Sequence, residues 1–223
     1  MLGIVPTWGN IVVYITSYFR LYNPGLLLSQ TFLVFPMTLS MGALSMQFGS
    51  LLLDILHPKV HLLLGGSIFV LSILVSSYMT DFYYFLLFYA VLTGVGYGLV
   101  YFLPLKSAWS FFPTKKGTIG GLILASHSFG AIGWSFYTAT SINPLNEAPT
   151  LNINVGNTQE ILFSAESGPV KNVASTLQKV FFVELALFVI AMIMMQKKKV
   201  VQFDKELAEK LIEDDVGEAR KKA

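Results

Sequence analysis

Cysteine is absent from this chain of 223 residues, and charged residues make up only 13% of it. The lack of cysteine excludes disulfides, thiolate metal sites and thiol catalysis. The three histidines and thirteen acids form no group with metal-ligand spacing, and no nucleophile stands at a recognisable spacing from a base. We therefore expect no metal, no cofactor and no enzymatic activity.

Long apolar stretches take the place of the missing charge, and hydrophobic residues make up 54% of the chain. Apolar stretches of about 20 residues are long enough to cross a bilayer as helices. The sequence predicts six such spans, at about 2–19, 31–53, 62–79, 83–111, 119–142 and 180–195. The expected fold class is thus an all-α membrane protein with six transmembrane helices, the first of which is short.

Lysine and arginine are distributed unevenly over the connections between these spans. One side of the membrane would hold Lys59, Lys115, Lys116 and Lys197–Lys199. The opposite side would hold Arg20, Lys171 and Lys179 among several acids. Because loops that are not translocated carry the excess of basic residues, both termini are expected on the basic side, in the cytosol or the mitochondrial matrix. The membrane would then be the plasma membrane or the mitochondrial inner membrane.

Two segments differ from the spans in composition. A long loop at 143–179, rich in Asn, Pro, Gly and Ser, is expected on the translocated side. After the six-span domain at 1–199, residues 200–223 are predicted to form an amphipathic helix with Phe203, Leu207 and Leu211 on its apolar face. This tail carries seven acids and five bases, so we expect it to dock on a partner protein rather than on lipid.

Short motifs follow one another in order along the predicted spans. They are Trp8-Gly9-Asn10, Tyr14, Ser17-Tyr18, the loop from Gly49 to Lys59, Gly94-x-Gly96-x-Gly98 with Tyr101, Phe112-Pro113-Thr114-Lys115-Lys116-Gly117 and Asn143-Pro144-Leu145-Asn146. In this combination and spacing the chain resembles the oxalate/formate antiporter family of the major facilitator superfamily, which is related to the monocarboxylate transporters. The resemblance covers all six predicted spans.

The resemblance implies a fold of twelve spans in two bundles, of which this chain would be the first. The cations that bind the anionic substrate in this family lie in the second bundle, so the chain would lack the main charge complementarity for a carboxylate. The candidate substrate-pathway residues are Trp8, Asn10, Tyr14, Gln30 and Tyr101. His127 in the fifth span is a further candidate, either as a ligand or proton site or as the donor of a helix-to-helix hydrogen bond.

The loop between the second and third spans departs from the family pattern of a Gly, an Asp-Arg pair and a second Gly before a basic residue. The charges of that loop lock the closed state in the family. Here Gly49, Asp54 and Lys59 remain as remnants, whereas Ile55 replaces the arginine and His57 the second glycine. We expect Asp54 to be left without its charge partner and the gate to be impaired.

Two further features have a structural interpretation. Gly94, Gly96 and Gly98 lie inside an apolar span without a preceding strand, so close helix packing is expected rather than a dinucleotide loop. Glu184 stands shortly after Lys179 near the end of a predicted span, so we expect a carboxylate that faces the membrane surface.

Two functions are compatible with these observations. In the first, which the missing second bundle and the altered gate favour, the chain is a degenerate half-transporter that serves as a structural or accessory subunit of a larger membrane protein complex. In the second, it is half of a secondary carrier for small carboxylates and works only with a second half or as a dimer. In both cases the expected partners are the lipid bilayer and other membrane protein subunits, not nucleic acid.

Overall fold

The computed structural model describes residues 2–155 and 158–195 of the chain. Its α-helices are α1 (Trp8–Phe19), α2 (Leu28–Thr31), α3 (Val34–Ile55), α4 (Pro58–Ser76), α5 (Phe82–Phe85), α6 (Thr93–Tyr101), α7 (Leu103–Phe111), α8 (Lys116–Ile142) and α9 (Gly168–Met194). Short 3-10 segments precede α1 (Leu2–Thr7) and α8 (Pro113–Lys115), and a π-helical segment (Leu86–Leu92) joins α5 to α6. The strands are β1 (Leu151–Val155) and β2 (Thr158–Leu162).

Five helical segments of the described residues are long and apolar enough to cross a membrane: Leu28–Ile55, Pro58–Ser76, Phe82–Phe111, Pro113–Ile142 and Gly168–Met194. They overlap the second to sixth predicted spans. Their outer faces are apolar, with Phe48 and Leu51 64% exposed and Phe136 73% exposed. Large apolar surfaces of this kind require lipid or a protein partner, so the chain is an integral membrane protein.

The first predicted span, at about 2–19, is not among these five. It consists of the 3-10 segment and of α1, which has 12 residues. The segment begins half-way along α8, where the backbone of Gly3 touches the backbone of Gly130 and Ala131. The described residues of this segment therefore accompany only the second half of α8, and the count of six spans stays a prediction.

Helix α6 packs against α3 and α4 through its glycines. A Cβ placed on Gly96 would lie 2.5 Å from the backbone nitrogen of Phe69 in α4. A Cβ placed on Gly98 would overlap the carbonyl oxygen of Gly42 in α3. Because side chains are missing at these positions, the three helix backbones approach closely on both sides of α6.

The fourth span is interrupted twice. The π-helical segment Leu86–Leu92 inserts an extra residue per turn ahead of α6. A second break occurs at Phe102, between α6 and α7, where Pro104 removes a backbone donor from the first turn of α7. Tyr101 and Lys106 stand on opposite sides of the second break, at the end of α6 and inside α7.

The long loop after α8 corrects the expectation of an all-α chain. β1 and β2 form an antiparallel hairpin in which Leu151 pairs with Leu162. The hairpin is fixed to the bundle by side chains from two elements. The Glu160 carboxylate accepts a hydrogen bond from the Leu28 amide at 3.0 Å, and the Phe163 amide donates to the Ser17 hydroxyl at 3.0 Å.

The loop also ends earlier than the predicted boundary at 179, because α9 begins at Gly168 with Pro169 in its first turn. The predicted span began too late, because the continuously apolar stretch starts only at Val180. The first turns of α9 bury one face and expose Lys171 and Lys179 on the other. Val173 and Leu177 lie on that buried face. The predicted tail with Phe203, Leu207 and Leu211 lies outside the described residues.

Candidate functional site

Trp8 is buried in the bundle rather than displayed to a pathway. Its ring lies 5.4 Å from the ring of Tyr89 and 6.3 Å from that of Phe85, centroid to centroid. Its indole Nε1 is buried and has no hydrogen-bond partner among the described residues. The cavity beside it has a volume of only about 10 Å³ and an apolar lining, so it has no room for a carboxylate.

Asn10 and Gln30 do not join Trp8 in one site. Asn10 is exposed on α1. The Gln30 side chain accepts a hydrogen bond from the Leu27 amide at 2.9 Å and thereby caps the start of α2. A groove of about 340 Å³ between α1 and α3 is lined by Pro6, Trp8, Gly9, Phe32, Phe35 and Pro36, all without a charged group.

Tyr14 lies at the end of the bundle that carries the long loop. Its ring stacks on Phe163 at 4.9 Å, and its hydroxyl accepts a hydrogen bond from the Asn143 amide group at 3.4 Å. Asn143 in turn accepts a hydrogen bond from the Glu147 amide at 2.8 Å. The contacts of Tyr14 therefore hold the start of the long loop against α1.

Tyr101 and His127 are brought together by a residue that the sequence interpretation missed. The ring of Tyr97 lies 5.4 Å from Tyr101 on α6 and 6.3 Å from His127 on α8, centroid to centroid. Nε2 of His127 is buried and has no hydrogen-bond partner among the described residues. The helix-to-helix hydrogen bond expected as one alternative for His127 is thus not made through Nε2.

The cluster of Tyr97, Tyr101 and His127 is the candidate ligand site. Tyrosine hydroxyls and an imidazole N–H donate hydrogen bonds, and a carboxylate accepts them. A buried polar atom without a partner, such as His127 Nε2, is costly for the folded protein, so a ligand group that supplies the partner is stabilised there. The signal that sequence reading passed over is the tyrosine between Gly96 and Gly98, whose glycine neighbours were assigned to packing alone.

The gating-loop remnants correct the expectation for Asp54. Its carboxylate has a partner, because Nζ of Lys106 on α7 lies 3.0 Å from Asp54 Oδ1. The same Nζ donates to the Ser50 carbonyl at 3.2 Å. Lys106 was hidden inside the apolar fourth span, so the sequence pattern of the loop alone did not reveal the pair.

The other loop remnants also have local roles. The space at Gly49 is filled by the Leu99 backbone, which a Cβ would meet at 2.6 Å. His57, which stands where the resemblance predicts a glycine, accepts a hydrogen bond from the Lys59 amide at 3.2 Å and so caps α4. Lys59 itself is exposed at the start of that helix.

Glu184 contradicts the expectation of a surface carboxylate. Its exposure is 0%, and it lies in the middle of α9. The error follows from the helix boundary: with α9 beginning at Gly168, Glu184 stands well inside the span instead of near its start.

The chain is similar in sequence to two transporters. Apicoplast pyruvate carrier 1 of Toxoplasma gondii is 29% identical to it over 184 residues, which cover 67% of this chain and 34% of that protein. The MFS-type transporter opdF of Penicillium oxalicum is 28% identical over 81 residues, which cover 36% of this chain and 19% of that protein. No family model and no solved structure matches the chain significantly.

The aligned part of the chain thus spans at most about a third of the length of these relatives. Both relatives are named as transporters and neither as an enzyme, in agreement with the class expected from the sequence. Together with the five membrane-crossing helices, this similarity makes the chain a transporter-like integral membrane protein.

Proposed function

We propose that this chain is one helix bundle of a carrier of the major facilitator type, with a small monocarboxylate such as pyruvate as substrate. The observation that carries the proposal is the similarity over 184 residues to a protein named as a pyruvate carrier. The Asp54–Lys106 ion pair adds support. A degenerate gate was expected because Asp54 lacks its usual arginine, and Lys106 supplies a charge partner in its place.

In this proposal the carboxylate binds at the cluster of Tyr97, Tyr101 and His127. Transfer of an unpaired carboxylate from water into an apolar interior is very unfavourable, so several donors must replace its hydration shell. The described cations do not supply this compensation: Lys106 pairs with Asp54, Arg20 donates to the Leu26 carbonyl, and the five other described lysines are exposed. We therefore propose that a second bundle completes the site with positive charge, and that the chain alone does not transport.

The test is counterflow of labelled pyruvate into proteoliposomes. One preparation contains the full chain together with the proteins that co-purify with it from its native membrane in mild detergent, and the other contains the chain alone. We expect saturable counterflow with the assembly and none above empty vesicles with the chain alone. Saturable uptake by the chain alone contradicts the need for a second bundle, and no uptake by the assembly contradicts the carrier.

Substitution at His127 tests the position of the site in the same assay. Loss of one donor to a charged ligand costs about tenfold or more in affinity, so His127→Ala raises the half-saturating pyruvate concentration by that factor. His127→Gln retains an N–H donor and has a smaller effect. The matched control is His57→Asn, which removes an imidazole but keeps a helix-capping side chain and leaves uptake unchanged.

An accessory subunit of a larger membrane complex is the second proposal. It is favoured by the dispersal of the candidate pathway residues, since Tyr14 holds the loop and Gln30 caps α2. This proposal predicts that unrelated subunits co-purify in stoichiometric amounts and that no carboxylate counterflow accompanies them. A second facilitator-type bundle among the co-purified proteins would favour the carrier.

A further inference from the structure

A groove lies between α7, α8 and α9 at the end of the bundle that carries Lys115 and Lys116. Its volume is about 590 Å³, which falls in the range of roughly 300–1,000 Å³ that is typical of ligand sites. Residues of all three helices and of their ends form its apolar walls. They include Pro104, Ala108, Phe111, Phe112, Met194 and Met195. None of the described residues that line it is charged.

Two exposed lysines stand on the turn that adjoins the wall of this groove. The Lys115 amide donates to the Phe112 carbonyl at 3.1 Å, so a single tight turn connects the lysine to the groove wall. Lys116 is the first residue of α8, which contributes Ile123 to the same wall. Both lysines are exposed, and in the sequence Lys197–Lys199 follow closely after Met195.

Among the described residues, no free carboxylate at this end of the bundle neutralises the charge of Lys115 and Lys116. Asp54 is the described acid at this end of the bundle, and its carboxylate already pairs with Lys106 at 3.0 Å. The unbalanced charge therefore favours an anionic group beside Lys115 and Lys116. An apolar groove that ends in such a charge matches an amphiphile with one anionic head and apolar chains.

We propose that this groove binds an anionic phospholipid, with an acyl chain along α7 and α9 and the phosphate beside Lys115 and Lys116. The occupant is a membrane lipid because the groove lies among helices that cross the bilayer, where acyl chains surround the protein. Basic pockets between transmembrane helices on the untranslocated side are suited to anionic headgroups. This site is separate from the cluster at His127 and does not depend on the proposed transport activity.

Trp109 offers a local reporter for the lipid. Its indole Nε1 donates to the Lys116 carbonyl at 3.0 Å, which ties the ring to the first residue of α8. The other two tryptophans, Trp8 and Trp134, are 3% and 7% exposed. Trp8→Phe and Trp134→Phe substitutions therefore leave one tryptophan whose fluorescence reports on this end of the bundle.

The experiment measures quenching of Trp109 fluorescence by brominated lipids in vesicles made from mixtures of phosphatidylcholine and phosphatidylglycerol. One series carries the bromine on phosphatidylglycerol and the other on phosphatidylcholine, at the same mole fraction. We expect stronger quenching by brominated phosphatidylglycerol. Lys115→Gln and Lys116→Gln lower the relative affinity for phosphatidylglycerol by about fivefold for each lysine. High salt weakens the preference in the unsubstituted chain.

Two controls distinguish binding in this groove from a general attraction of the basic protein surface to anionic lipid. Lys59→Gln removes an exposed lysine from the same side of the membrane and leaves the preference unchanged. Ala108→Leu with Ala191→Leu fills the groove and lowers quenching by brominated phosphatidylglycerol without a change of charge. Equal quenching by the two lipids, or a preference that survives loss of both lysines, overturns the proposal. It is also overturned if quenching requires removal of residues 200–223, because the tail would then be the occupant.

Discussion

Lys106 and Asp54 form an ion pair between α7 and the end of α3, with the charged atoms 3.0 Å apart. The pair is partly solvated, because the side chains are 37% and 73% exposed. Exposed ion pairs contribute about 0.2–1 kcal/mol, and this one belongs in the lower part of that range. It therefore serves to position the loop after α3 more than to stabilise the fold.

A double-mutant cycle tests that interpretation. We expect Asp54→Asn and Lys106→Met to lower the unfolding temperature in detergent only slightly, with a coupling free energy below about 1 kcal/mol that shrinks in high salt. Lys59→Gln is the control, since that lysine is exposed at the start of α4. A coupling of several kcal/mol, or one that is insensitive to salt, would contradict a solvated pair.

Substitution of the glycines of α6 is expected to lower stability more than loss of the Asp54–Lys106 pair. Gly96→Ala would place a methyl group 2.5 Å from the Phe69 backbone, and Gly98→Ala would press on the Gly42 carbonyl. Overpacking of a tight interface costs about 1–3 kcal/mol, so both variants unfold at clearly lower temperature. Gly121→Ala and Gly133→Ala on α8 meet open space and are the matched controls. Equal stability of all four variants would show that α6 does not pack closely against its neighbours.

The sequence revealed features that depend on local pattern. The apolar stretches located the second to fifth spans to within a few residues, because burial in lipid requires length and hydropathy that are visible in any window. The glycine spacing around Gly96 likewise suggested close packing. The start of α9 was missed by contrast, because its first turns alternate buried apolar residues such as Val170, Val173 and Leu177 with polar ones, and a window average hides the apolar face.

Contacts between distant segments could not be predicted in the same way. The pairing of Lys106 with Asp54 and the approach of His127 to Tyr97 join different helices, and no local pattern encodes either distance. The hairpin was missed because its strands are short and its loop is rich in turn-forming residues.

The attachment of the hairpin to the bundle depends on Glu160. Its carboxylate accepts the hydrogen bond of the Leu28 amide at 3.0 Å, at the start of α2. Hydrogen bonds to charged acceptors contribute about 1.5–3 kcal/mol, so Glu160→Ala accelerates deuterium exchange of the Leu28 amide by about tenfold. Glu166→Ala removes an exposed acid from the same loop and is the control. Unchanged exchange in Glu160→Ala would show that the hairpin does not hold α2.

The side of the membrane on which the hairpin lies can be tested because the chain has no cysteine to interfere. Asn154→Cys places a thiol on the exposed strand β1, and Lys116→Cys places one at the first residue of α8. One crossing by α8 separates them, so we expect a membrane-impermeant maleimide to label only one of the two from a given side of sealed vesicles. Labelling of both from the same side would refute the crossing by α8.

The tail from Val200 to Ala223 is predicted to dock on a partner protein through Phe203, Leu207 and Leu211, which recur at four-residue spacing in the sequence. Burial of one large apolar side chain stabilises by about 1.5–3 kcal/mol, which is enough to order a short helix that is marginal alone. Five acids on this tail, Glu206, Glu209, Glu213, Asp214 and Asp215, repel anionic headgroups and leave protein as the favoured surface.

Replacement of Phe203 and Leu207 by serine therefore weakens assembly while membrane insertion is retained, since the transmembrane helices anchor the chain. The matched control replaces Lys205 and Glu209 by serine, which leaves the net charge unchanged and keeps the apolar positions. The measurement is co-migration with the co-purified subunits on a native gel. Loss of co-migration in the apolar variant alone identifies a docking helix, because a solvated tail would tolerate both pairs of substitutions equally. If the apolar variant co-migrates as fully as the unsubstituted chain, the tail does not hold the assembly together.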